Sequence, residues 1–81
     1  MYAHTYTLRQ LDQLGGALKA LLDSGALDGR DLKMADTIKE RLDGVAFRMR
    51  RDKREGQVIV HMSEEEEVFI DGVHEALWGQ G

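Results

Sequence analysis

From Leu32 onward, apolar side chains recur at alternating spacings of three and four residues, through Ala35, Ile38, Leu42, Val45 and Met49. A repeat of that period places them on one stripe of an α-helix. The pattern predicts a long helix over residues 29–54, capped by Asp28 and carrying Asp31 in its first turn, where the helix dipole favours negative charge. Upstream, Leu8, Leu11, Leu18 and Leu22, with Leu14 and Leu21 beside them, predict a first helix over residues 8–23. Thr7 and Gln10 form a capping box at its start, and Gly25 stands where a left-handed C-terminal residue belongs. The link Ser24-Gly25-Ala26-Leu27 is short enough to make the two helices an antiparallel hairpin with facing leucine stripes. The second helix outruns the first by roughly two turns. Met49 and the residues around it therefore need another cover.

Elsewhere the period changes to two. Tyr2, His4 and Tyr6 alternate with Ala3, Thr5 and Thr7, which predicts a strand over residues 2–6. After Glu55-Gly56, the run Gln57-Val58-Ile59-Val60-His61-Met62 predicts a second. A lone strand leaves its backbone groups unpaired, so this one pairs either with residues 2–6 or with its copy in a second subunit. Ser63 and Glu66 repeat the capping box and open a third helix over residues 64–77, with Phe69, Ile70, Val73 and Leu77 at helical spacing. The rival is a hairpin joining 58–62 to 67–71. The glutamates at the helix start, where the dipole welcomes them, favour the helix.

The expected fold is mainly α: an antiparallel helix hairpin plus a third C-terminal helix, with one or two short β-strands, as a single small domain over residues 1–81. Gly79-Gln80-Gly81 is expected to fray. Gly15 and Gly16 interrupt the first helix at about 1 kcal/mol each relative to alanine. Gly15 lies on the Leu11 and Leu18 face, where a missing side chain allows either a close approach or a kink, and Gly44 and Gly72 raise the same question.

Length sharpens this picture. A chain of 81 residues buries only about 60% of its unfolded surface. With no cysteine to form a disulfide or a thiolate metal site, self-association or docking on a larger partner is the expected source of further burial. The hydrophobic content of 42% is that of a folded protein. Met1-Tyr2-Ala3-His4 does not begin a signal peptide, and no apolar run reaches the roughly 20 residues of a membrane span. The expectation is a cytoplasmic protein without a membrane partner.

The net charge of −4 is unevenly spread. Arg48, Arg50, Arg51, Lys53 and Arg54 form a basic belt at the end of the second helix, whereas from Gln57 onward there are six acids and no Lys or Arg. In the third helix Glu64, Glu67, Asp71 and Glu75 recur at helical spacing as an acidic stripe, with Trp78 at its rim. Phe47 is flanked in projection by Glu40, Asp43, Gly44, Arg51 and Arg54. Aromatic residues on charged faces have the composition of interface anchors. The bland alternatives are a solvated charged face and an intramolecular cover over each aromatic.

Chemistry is thinly provided. Ser24 and Ser63 serve a turn and a cap, no nucleophile elbow or phosphate-cradling glycine loop is present, and a domain this small has little room for a water-excluding pocket. His61, His74, Asp71 and Glu75 offer one imperfect copy of the Glu-x-x-His arrangement that di-iron bundles use in pairs. No catalytic residue, metal or cofactor is expected. The expected function is that of a non-enzymatic interaction module, which regulates or inhibits a larger macromolecule through Phe47, Glu64, Glu67, Asp71, Glu75 and Trp78. Phage-type inhibitors of host or defence complexes are one class with this build. The alternatives are a dimeric nucleic-acid-binding regulator using Arg48, Arg50, Arg51, Lys53 and Arg54, and a structural subunit of a homodimer or higher homo-oligomer.

Overall fold

The structure, a computed structural model, describes residues 2–79; the end of the expected frayed tail, Gln80 and Gly81, lies outside them. In chain order the elements are β1 (Tyr2–Thr7), α1 (Leu8–Ser24), α2 (Gly29–Arg51), β2 (Gln57–Met62) and α3 (Glu64–Trp78). The fold is mainly α with one small sheet. Both capping boxes form: Thr7 Oγ1 accepts the Gln10 N–H while Gln10 Oε1 accepts the Thr7 N–H, and Ser63 and Glu66 do the same. No helix of the described residues is long and apolar enough to cross a membrane.

Of the two pairing choices open to residues 57–62, the chain takes the internal one. β1 and β2 run antiparallel, in register from Tyr2 opposite Met62 to Thr7 opposite Gln57. Alternation then sorts the side chains. Tyr6, Val60 and Met62 are buried against the helices, while Ala3, Thr5, Ile59 and His61 stay exposed on the outer face. The core joins these to Leu11, Leu14 and Leu18 of α1, to Ala35, Ile38, Leu42, Ala46 and Met49 of α2, and to Ile70 and Val73 of α3. Met49 is covered here too, and the expectation that α1 stops short of it does not hold, since Asp12 of α1 pairs with the adjacent Arg50.

The expected approach of another backbone at Gly15 is not found; what stands over it is a carboxylate. A Cβ built there falls 3.3 Å from Asp43 Oδ1 of α2, whereas one built on Gly16 meets nothing within 4 Å. Gly16→Ala is expected to stabilise the fold by about 1 kcal/mol through helix propensity, and Gly15→Ala by less, because Asp43 must shift. Urea unfolding of the two variants measures the difference.

The second helix stops three residues before the end that its charge pattern suggested, at Arg51 rather than at residue 54. Lys53 takes a left-handed backbone with φ of 54°. Its N–H reaches Arg50 O at 3.2 Å, and the Arg54 N–H reaches Met49 O at 2.9 Å. This pair of bonds is the Schellman closure, which ordinarily recruits glycine. The apolar and charge patterns carry no glycine at that point, so the stop was invisible in them. Lys53→Gly relieves the Cβ strain of the left-handed residue and is expected to raise unfolding free energy by about 1 kcal/mol, again read from the urea midpoint.

Candidate functional site

Two periodicities meet between β1 and α3. Alternation on β1 turns His4 and Tyr6 to the inward face, and spacings of three and four on α3 align Glu67, His74 and Trp78 on the side toward that strand. Tyr6 is buried, and its hydroxyl lies 2.7 Å from His74 Nε2. His4 Nε2 is hydrogen-bonded to Glu67 Oε1. The His4 and His74 rings meet edge-on at 4.9 Å, and Trp78 stacks on His74 at 5.4 Å. From the far side Trp78 Nε1–H donates to Gln13 Oε1 of α1 at 3.1 Å. The lone tryptophan is therefore held by α1 and by its own helix, and 38% of it remains exposed.

Electrostatics follows from this packing. Burial, with help from the Glu67 charge, pushes the Tyr6 phenol up to about 12, so it stays protonated. Burial and the adjacent His4 hold His74 below the usual histidine range, against the opposing pull of Glu67 and Asp71. Beside this cluster a shallow depression of about 340 Å³ is lined by Asp71, His74, Glu75, Trp78 and Gly79.

The acidic stripe of α3 is divided. Glu67 is bonded to His4, and its neighbours Glu65 and Glu66 pair with Arg30 and Arg41. Glu64, Asp71 and Glu75 form no ion pair among the described residues. The basic belt divides in the same way. Arg50 pairs with Asp12 of α1 and Arg51 with Asp52, while Arg48, Lys53 and Arg54 have no ion pair among the described residues. Among the described residues, belt and stripe do not pair with each other.

Phe47 is 62% exposed on the outer face of α2, and nothing among the described residues folds over it. It does not join Trp78. Asp12 of α1 meets Arg50 of α2 while the next residue, Gln13, meets Trp78 of α3, so α1 stands between the two aromatics. His61 lies on the outer face of β2, away from His74, and among the described residues no group of three metal-ligating side chains converges. The sequence reading missed the meeting of His4 with His74. The signal for it was present in the Tyr2, His4, Tyr6 alternation, which puts two of the cluster's rings on one face.

A histidine whose folded value lies below its unfolded one binds fewer protons when folded. Stability is therefore expected to fall as pH drops below about 6.5 and to level off once pH has passed the folded value. His74→Gln is expected to flatten this part of the profile, checked by unfolding midpoints between pH 8 and pH 5 with Trp78 fluorescence as the probe. No family model matches the chain, and comparison with curated proteins and with solved structures finds no match either.

Proposed function

We propose that this protein is a non-enzymatic interaction module that binds a larger protein, and regulates or inhibits it, through the Trp78 end of α3. One observation carries the reading. The sole tryptophan is held in place by Gln13 and His74 with part of its ring open, in a depression whose carboxylates Asp71 and Glu75 have no ion pair among the described residues.

An aromatic ring fixed before binding loses little side-chain entropy on contact, and rings of this kind are enriched among the residues that dominate interfaces. Free carboxylates beside it attract a lysine or arginine, which gains further from lying over the indole. The surface therefore suits a partner that presents a cationic side chain among apolar ones. Glu67 supports the site from behind by holding His4 rather than by facing the partner. The basic belt supplies a weaker rival, since two of its five cations are already paired within the chain.

A photo-crosslinking amino acid placed at Glu75, in the cells that make the protein, is expected to yield an adduct with another protein. Trp78→Ala should remove that adduct and weaken binding of the captured partner by roughly 30-fold or more, the ~2 kcal/mol of a hot-spot aromatic. Replacing Arg48, Lys53 and Arg54 by glutamine should leave it intact. Loss of the adduct in the belt variant with retention in Trp78→Ala would overturn the reading in favour of the belt.

A further inference from the structure

On the flank of α3 away from Trp78, the apolar surface continues outward instead of ending. Val68 is 73% exposed, although it lies between Glu64 and Asp71 on the helix surface. Next to it, Phe69 forms the shared wall of two depressions. One, of about 440 Å³, reaches Met34 and the Arg30–Glu65 pair. The other, of about 400 Å³, runs between α3 and the hairpin turn, over Leu21, Leu27, Gly72, Ala76 and Leu77. Together they make an apolar groove along α3. Gly72 sits at its centre, and a Cβ built there meets nothing within 4 Å, so the chain's own packing does not explain a glycine in the middle of this helix.

The outer face of α2 shows the reverse pattern. Phe47 stands exposed one turn from Gly44, whose Cβ position is likewise open, with Arg48 beside it, Arg50 and Arg51 one turn on and Asp43 one turn back. Here an apolar anchor has three arginines around it against one aspartate, which is already paired with Lys39. Around the groove the charge is acidic: Asp31 and Glu65 in its wall, with Glu64 and Asp71 on either side of Val68 along the helix, stand against Arg30.

We propose that the groove beside Val68 receives Phe47 of a second copy of this chain, joining copies head to tail. Three features argue for that occupant. The groove has room, since a cavity of about 150 Å³ already admits a benzene ring. The charges match, with Arg48 and Arg51 of the incoming helix meeting the acidic border. The two open glycines, Gly44 and Gly72, lie one on each surface and let the helices approach closely. A symmetric contact of α3 with α3 is disfavoured, because it would oppose two acidic borders. The contact joins two different faces, so one copy can bind a neighbour at each, and the assembly grows with concentration or closes as a ring rather than stopping at a symmetric pair.

Light scattering after size exclusion, over a concentration series, tests this with two surface variants. Phe47→Ser and Val68→Asp both alter exposed side chains, and circular dichroism confirms that each remains folded. The unaltered chain is expected to rise in mass beyond one copy. Each variant alone should be monomeric, and an equimolar mixture should form a dimer and stop there, because each supplies the face that the other lacks. A chain that stays monomeric at millimolar concentration overturns the proposal, as does an oligomer indifferent to Phe47→Ser or a mixture that remains monomeric. An adduct from Glu75 with a different protein reads the Trp78 depression alone, whereas one with a second copy of this chain would be lost in Phe47→Ser.

Discussion

The Glu66 carboxylate accepts hydrogen bonds from two directions at once. Oε1 takes the Ser63 N–H at 2.9 Å, closing the cap of α3, and also Arg41 Nη1 at 2.8 Å, while Oε2 takes Arg41 Nη2 at 3.0 Å. The first bond fixes where the helix begins, and the other two fix its position against α2. Arg41 reaches further, to His61 O of β2 at 3.3 Å, so one guanidinium gathers two helices and a strand. A two-pronged pair with the carboxylate largely covered is a stronger constraint than an exposed ion pair, which contributes ~0–1 kcal/mol. The hydrogen bond from Arg41 holds Glu66 below the ordinary carboxylate range, so the bridge is intact wherever the protein is near neutral pH. Both flanks of α3 take their placement from it.

This constraint explains how a helix with six acids can sit on a small core. Its first turn holds four glutamates, which the dipole favours but which repel one another. Three cations or potential cations drawn from two other elements answer them: Arg30 and Arg41 from α2, and His4 from β1. What is left unanswered, Glu64, Asp71 and Glu75, lies outside these pairings. The division between charges that hold the fold and charges that face outward therefore follows contact, not composition.

Much of the architecture was legible because it rests on local rules. The leucine stripes, the two capping boxes and the alternation of β1 each reflect a few neighbouring residues, and each gave its element directly. The end of α2 was not legible, since Lys53 adopts a backbone usually reserved for glycine and nothing nearby in the sequence marks it. Periodicity also tells which side of an element a residue occupies but not what stands opposite. It could set Trp78 beside His74, yet not bring His4 and Gln13 to them from the other end of the chain. For the same reason spacing alone does not show that the hairpin turn sets Leu21 and Leu27 next to the helix that carries Val68.

The sheet has a further consequence, for the order in which the structure is made. Its strands are separated in the chain by both long helices, with Tyr2 facing Met62, whereas α1 and α2 meet through a turn of a few residues. Closing a loop of that length costs on the order of 3–4 kcal/mol in chain entropy before any contact forms. The hairpin pays far less and comes first. During synthesis β1 leaves the ribosome with its ladder partner still unmade, and it carries no charged residue to keep other strands away. Until β2 arrives, the aromatic strand that later holds His74 is the part of the newborn chain most open to pairing with the wrong neighbour.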